Sequence, residues 1–170
     1  MKQLLVFAFT LVIFQSCGQT QSTAATYQEH VGDISFDAKL DDPSFKICTN
    51  ENNIAQYYNF GGGLQYVGEK IAIDNYFREN FKSRIQKNET GFLTIRFVVN
   101  CEGKTGRFRI EGMDNNYQSK KFDKELENQI LKLTKQLDGW AVGESRGQKY
   151  DYYQYLTFKL TDGQIIEIMP

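Results

Sequence analysis

Apolar residues recur about every four positions in two stretches of the second half of the chain. In the first stretch they are Ile73, Phe77, Phe81 and Ile85. In the second they are Phe122, Leu126, Ile130, Leu133 and Leu137. Charged residues lie between them, so each stretch predicts an amphipathic helix with one apolar face. Asn88 and Gly91 end the first predicted helix, and Gly139 ends the second.

Alternating apolar and polar residues predict strands beside these helices. Residues 93–99 and 108–110 alternate on either side of a turn at 100–104, which predicts a β-hairpin. Residues 150–160 predict a long strand rich in tyrosine. A turn at 161–163 with the Asp-Gly signal then leads into a short last strand over 164–169, which we expect to fold back antiparallel along residues 152–160. The predicted order is helix, strand, strand, helix, strand, strand.

The pattern is weaker over residues 27–70, which we take as an N-terminal segment with short strands. Residues 34–38 alternate before an Asp-Asp-Pro break, and residues 45–47 alternate before Cys48. Each stretch predicts a short strand. Three successive glycines at 61–63 predict a loop or a hairpin turn.

Residues 1–16 have the features of an export signal. Lys2 precedes an apolar run over 4–14, which is shorter than the ~20 residues that span a bilayer as a helix. Residues 14–17 (FQSC) resemble a bacterial lipobox, which implies cleavage before Cys17 and lipidation of that cysteine. Residues 17–26 then form a flexible polar tether. The alternative is an ordinary secretory signal that happens to precede a cysteine.

The lipoprotein interpretation places the protein at the bacterial envelope, facing the periplasm, with a membrane as its partner through Cys17. The chain has three cysteines, so lipidation of Cys17 leaves Cys48 and Cys101. An oxidising compartment favours a disulfide between these two. The alternative is a pair of separate buried thiols.

Composition and charge exclude several classes of function. The net charge is −1, so the chain lacks the basic surface of a nucleic-acid binder. One histidine, His30, excludes a His-rich metal site within the chain and leaves a thiol nucleophile without a nearby base. Asp41, Asp42 and Asp114 fall in predicted polar loops without calcium-loop spacing, so we expect them to be solvated. We therefore expect no catalytic, metal or cofactor site.

Tyrosines on the long strand form a candidate binding face. Tyr153 and Tyr155 share one side of the strand with polar residues, and aromatic rings beside polar groups can stack on sugars or on a partner's side chains. The alternative is that these tyrosines fill the core of the protein and reflect strand propensity.

Four stretches of the second half resemble the TonB C-terminal domain family. They are residues 91–100 (GFLTIRFVVN), 122–126 (FDKEL), 137–140 (LDGW) and 155–158 (YLTF). The resemblance implies an α+β fold over residues 71–170, with two amphipathic helices packed on a small antiparallel sheet. Both predicted apolar faces need such a sheet to bury them. The resemblance also implies a free strand edge that pairs with an extended peptide of a receptor.

Other features depart from a TonB energy transducer. Such a transducer has an uncleaved membrane helix and a long proline-rich spacer, whereas this chain has a short apolar run and two prolines. We therefore expect a non-enzymatic envelope lipoprotein that acts as a protein-binding or assembly module. One alternative is an accessory of TonB-dependent uptake that docks a receptor peptide by strand addition. Another is a glycan-binding or hydrolytic envelope protein.

The lipid anchor gives a direct prediction. Cys17→Ser removes the acylated side chain, and burial of acyl chains at ~0.8 kcal/mol per CH₂ is what holds a lipoprotein on a bilayer. The variant is expected to move from the membrane to the soluble fraction, as measured by fractionation after a high-salt wash. Persistence of the variant in the washed membranes would contradict the anchor.

Overall fold

A computed structural model describes residues 32–60, 64–82 and 88–170. The predicted signal peptide, the tether and Cys17 lie outside these ranges. Within them, no helix has the length and apolar character needed to cross a bilayer.

Helices and strands mix along the described part of the chain, and the fold is α+β. The helices are α1 (Glu69–Asn80) and α2 (Lys124–Lys135). The strands are β1 (Ala55–Gln56), β2 (Gly91–Val99), β3 (Thr105–Met113), β4 (Gly143–Ser145), β5 (Gln148–Tyr150), β6 (Tyr152–Thr161) and β7 (Gln164–Met169). Short 3-10 helices cover Glu51–Asn53 and Tyr57–Phe60.

The main sheet is built around β2, which pairs antiparallel with β3 on one side and with β6 on the other. The outer side of β6 receives two further strands. β1 pairs parallel with residues 152–153, and β7 pairs antiparallel with residues 157–161. The prediction that the C-terminal tail folds back along the long tyrosine-rich strand is therefore confirmed.

One face of the sheet carries the main core. Side chains of β2 that point to this face, such as Leu93, Ile95 and Phe97, are fully buried. Phe77 of α1 and Ile130 of α2 pack against them in the same cluster. The apolar faces that the four-residue spacing predicts are therefore the faces that the sheet buries.

The first helix is shorter than its sequence pattern predicts. α1 ends at Asn80, and Phe81 already has extended backbone angles while its N–H donates to the carbonyl of Phe77. Phe81 still packs against the core, so a residue beyond the helix end continues its apolar spacing. Ile85, the last residue of that pattern, lies outside the described residues.

The second helix follows its prediction closely. The carboxylate of Asp123 caps its start by accepting the N–H groups of Glu125 and Leu126 at 3.0 and 3.2 Å. Just before and just after the helix, Phe122 and Leu137 are buried in the core.

The predicted strands over 34–38 and 45–47 are wrong, because neither stretch pairs with a neighbour. Residues 32–54 of the N-terminal segment instead cover the second face of the sheet, where Ile34, Phe45 and Ile47 pack on Val98 and Tyr153. Alternation therefore arises here from side chains laid on an existing surface, without backbone pairing.

One glycine allows this close approach of the N-terminal segment to β3. A Cβ atom at Gly106 would overlap the ring of Phe45. Glycine at this position therefore lets the aromatic ring lie directly on the strand.

The strand predicted over 150–160 begins two residues later than expected, and Tyr150 instead ends a short hairpin of β4 and β5. β6 begins only at Tyr152, after the buried residue Asp151. The side chain of Asp151 binds two other parts of the chain.

The predicted disulfide between Cys48 and Cys101 is present, with its Cα atoms 5.9 Å apart. The Asp151 carboxylate lies beside it, fully buried, and accepts the backbone N–H groups of Cys48 and Cys101 at 2.8 and 3.0 Å. Thr49 donates its N–H at 2.7 Å and its hydroxyl at 2.6 Å. Among the described residues no lysine or arginine pairs with Asp151, so neutral donors stabilise its charge.

Asp151→Asn tests this arrangement. The new amide group would place N–H donors against N–H donors, so at least one buried hydrogen bond is lost. We expect the free energy of unfolding to fall by about 2–3 kcal/mol, the scale for hydrogen bonds to a charged group. Urea unfolding of the oxidised protein measures the change. Asp162→Asn, at an exposed turn, is the matched control and should be near neutral; equal effects of the two variants would contradict the role of Asp151.

Candidate functional site

In the described part of the chain, the outer edge of β3 carries no further strand of the main sheet. The carbonyl of Gly112 accepts the N–H of Lys120 at 2.9 Å on this side. Successive residues of a strand present their backbone groups to opposite sides, so Ile110, two residues earlier, also faces outward. No described residue outside the strand donates to or accepts from the backbone of Ile110. The carbonyl of Phe108 accepts Nη1 of Arg109 at 2.9 Å.

A groove of about 1070 Å³ runs along this edge. Its floor is the stretch 105–111 of β3. One wall is formed by residues 33–42 of the N-terminal segment, and the other by Leu131 and Lys135 of α2. We call this feature the β3 groove. Its volume lies slightly above the range that is usual for ligand sites.

The side of the groove next to α2 is apolar with one cation. Phe108 stacks on the buried ring of Phe97 with centroids 5.1 Å apart, and Ile110 is half-buried. Nζ of Lys135 lies 5.2 Å from the centroid of Phe108, within cation–π distance. Among the described residues Lys135 has no acidic partner.

The opposite wall is held by an ion pair. Arg109 donates to both carboxylate oxygens of Asp41 at 2.7 and 2.8 Å, and to the carbonyl of Ser35 at 2.8 Å. The hydrogen bonds from Arg109 hold the pKa of Asp41 below its ordinary value, against the opposing effect of burial. The expectation that Asp41 is solvated is therefore wrong, whereas Asp42 beside it is exposed.

A second arginine anchors the N-terminal segment from a β-bulge. The register of β2 and β3 shifts between Arg96 and Val98, and Arg107 adopts a left-handed backbone with φ 56°. Arg107 is buried and donates to both oxygens of Glu51 at 2.6 and 2.7 Å. These hydrogen bonds lower the pKa of Glu51. The bulge thus turns a charged side chain of β3 into the protein, where it binds the segment.

The two tyrosines of the candidate binding face have different surroundings. Tyr153 is 5% exposed and belongs to the cluster under Ile34, so the N-terminal segment already occupies its face. Tyr155 is half-buried, and its hydroxyl lies 3.4 Å from that of Tyr57. This hydrogen bond, with burial, raises the pKa of Tyr57 to about 12. The structure therefore does not unite Tyr153 and Tyr155 in one open surface.

The other acidic groups considered from the sequence have structural contacts. Asp114 caps a turn by accepting the N–H groups of Asn116 and Gln118. Cys48, Cys101 and Asp151 lie close enough together to share a metal ion. Their sulfurs are joined, however, and four donor groups already bind the carboxylate. In the oxidised protein this cluster therefore has a structural role.

Comparison of the chain with protein-family models, with curated proteins and with solved structures gave no match.

The wall of the β3 groove gives a prediction about pH. Asp41→Asn removes the charge from the pair with Arg109, so we expect the free energy of unfolding at pH 7 to fall by about 1.5–3 kcal/mol. Because the pKa of Asp41 is lowered in the folded state, its stabilisation is complete above the unfolded pKa of about 3.9. It is lost as the pH falls through the lower folded value.

Urea unfolding over descending pH measures this difference. The difference in the free energy of unfolding between wild type and Asp41→Asn should become smaller as the pH drops below the ordinary pKa range of aspartate. Asp42→Asn, the exposed neighbour, is the control and should have a smaller effect at neutral pH. A gap that stays constant down to strongly acidic pH would contradict the assignment of the pair.

Proposed function

We propose that this chain is a non-enzymatic lipoprotein of the bacterial envelope that binds a protein partner in the β3 groove. In this proposal, lipidated Cys17 anchors it to a membrane, and residues 71–170 form a domain of the TonB C-terminal type. The observation that carries the proposal is the open backbone edge of β3, set between two walls.

An open strand edge can pair with a strand of another chain, and proteins usually cover such edges. This chain covers the outer side of β6 with β1 and β7, and it covers the end of β3 with the loop that returns to Gly112. The middle of β3 stays uncovered and lies in a groove. Backbone donors and acceptors in such a setting suit an extended protein segment, because its own backbone supplies the complementary groups.

Two carboxylates that bind arginines of the groove support a binding role over a catalytic one. Asp41 and Glu51 are both engaged by arginine forks, and both have lowered pKa values. A carboxylate stabilised in its charged form is a weak base, whereas a general base works best with a pKa near the operating pH. These acids fix the N-terminal segment in place.

The order of elements supports the TonB-type arrangement. α1, the β2–β3 hairpin, α2 and β6 follow one another as the resemblance implies. The β4–β5 hairpin, the parallel β1 and the C-terminal β7 are additions to that plan. Two of these additions lie on the same side of β6.

That placement bears on the alternative of an uptake accessory. Such a protein would offer the outer edge of its last long strand to a receptor peptide, but here β1 and β7 already pair with that edge. We therefore expect TonB-box-type peptides to bind weakly or not at all. The glycan-binding alternative rests on the tyrosine face, and the burial of Tyr153 weighs against it.

Site-specific photocrosslinking in the bacterial envelope tests the proposed function. A benzoylphenylalanine at Leu40 would stand on the rim of the β3 groove, and one at Ile166 would stand on β7; the natural side chains are 67% and 58% exposed. We expect a protein adduct from position 40 and none from position 166. An adduct from position 166 alone would overturn the groove proposal and favour the uptake accessory.

A blocking variant sharpens this test. Leu131→Trp adds bulk to the α2 wall and should abolish the adduct from position 40 by filling the groove. Lys132→Trp places the same side chain next to it on α2, outside the residues that line the groove, and should preserve the adduct. Equal adduct yields from the two variants would show that the captured protein does not enter the groove.

A further inference from the structure

We propose that the occupant of the β3 groove is an extended peptide segment that adds to β3 as a further strand. We further propose that it carries a carboxylate and a large apolar side chain two residues apart. This inference rests on the proposed function and specifies the chemistry of the partner.

The depth of the edge favours a single extended segment over a second copy of this chain. Residues 33–42 stand on one side of β3, and α2 stands on the other. A second copy pairing edge to edge would bring the same two walls into the same space. One peptide strand needs only about 4.8 Å beside its neighbour and carries no walls of its own.

The open stretch of β3 is short and has defined ends. The bulge at Arg107 breaks the regular strand at one end, and Lys120 already pairs with Gly112 at the other. Between them the outward backbone groups of Ile110 have no partner among the described residues, whereas the carbonyl of Phe108 accepts Nη1 of Arg109. The site therefore contacts only a few residues of its partner, and Ile110 is the central residue of the pairing.

Strand geometry fixes which side chains of the partner meet which wall. Successive residues of an added strand point to opposite faces of the sheet. One set therefore faces Phe108, Ile110 and α2, and the other set faces Arg109 and Asp41. Phe108 and Ile110 are two residues apart on the same face, so their counterparts on the partner are also two apart.

The cation that lies beside Phe108 determines the polar member of that pair. Four cations line the groove, and three of them bind acids of this chain. These are Arg96 with Glu111, Arg107 with Glu51 and Arg109 with Asp41. Lys135, the fourth, lies on the ring of Phe108 without an acidic partner among the described residues. A carboxylate of the partner opposite Phe108 would accept a charge-assisted hydrogen bond from Lys135.

The apolar member of the pair follows from the neighbouring position. Ile110 is half-buried, and Leu131 of α2 packs over the same region of the groove. A large aliphatic side chain opposite Ile110 would bury the remaining apolar surface of both. The two requirements together describe a partner segment in which an aspartate or glutamate and an aliphatic residue flank one polar residue.

Two capped peptides test the charge requirement on the mature protein. Both alternate threonine with valine over seven residues; one has aspartate in place of a central valine and the other has lysine there. By fluorescence anisotropy at low salt, we expect the aspartate peptide to bind about tenfold more tightly, the scale of one charge-assisted contact. Lys135→Glu should reverse the preference, and Lys132→Glu, on the same turn of α2, should leave it unchanged.

N-methylation of the aspartate peptide tests the strand geometry without altering the protein. Methyl groups on one alternate set of amides should abolish binding, and methyl groups on the other set should be tolerated, because only one set faces β3. Hydrogen exchange at the Ile110 amide should slow in the complex. Equal losses from both sets would overturn strand addition.

The remaining outcomes separate this inference from the proposed function. Equal affinity for the aspartate and lysine peptides would overturn the carboxylate requirement. If neither peptide binds while the Leu40 adduct persists, the partner is not an extended segment of this chemistry, and the groove still binds a protein. If the adduct is also absent, the proposed function itself fails.

Discussion

The buried carboxylate of Asp151 is the constraint on which the rest of the arrangement depends. It lies at the start of β6 and binds the backbone of both disulfide cysteines, so it joins the central sheet to the β2–β3 turn and to the N-terminal segment. Burial of a charge without a cationic partner is tolerated because four donors surround it. The N-terminal segment is thereby held over the second face of the sheet, where Ile34 and Phe45 bury Tyr153.

The two edges of the sheet are treated in opposite ways. Along β6, two other segments of the chain, β1 and β7, pair with the outer backbone groups of the strand. β7 also contains a register shift next to its pairing with Leu160, a feature that discourages further strand addition. Along β3 the chain instead builds walls and leaves the backbone of Ile110 open. This asymmetry is the reason that we propose the β3 groove, and not the outer side of β6, as the site of a partner.

The wall of the groove depends on two arginines of β3 that bind acids of the N-terminal segment. Arg107, which lies in the bulge, and Arg109, two residues later, both bind the N-terminal segment from one short stretch of β3. Each forms two hydrogen bonds to a carboxylate, the geometry in which arginine binds most strongly. The ion pairs with Glu51 and Asp41 therefore use charge to position a segment that has little secondary structure of its own.

Local periodicity determined both helices, the β2–β3 hairpin and the returning β7 strand, because their signals lie within a few neighbouring residues. The cysteine count also pointed to the disulfide. The early end of α1, the strandless N-terminal segment and the burial of Tyr153 were decided by tertiary packing, since each depends on residues far away in sequence. The β3 groove belongs to the same class: alternation at Phe108 and Ile110 predicts a strand, but only the assembled sheet decides which strand has a free edge.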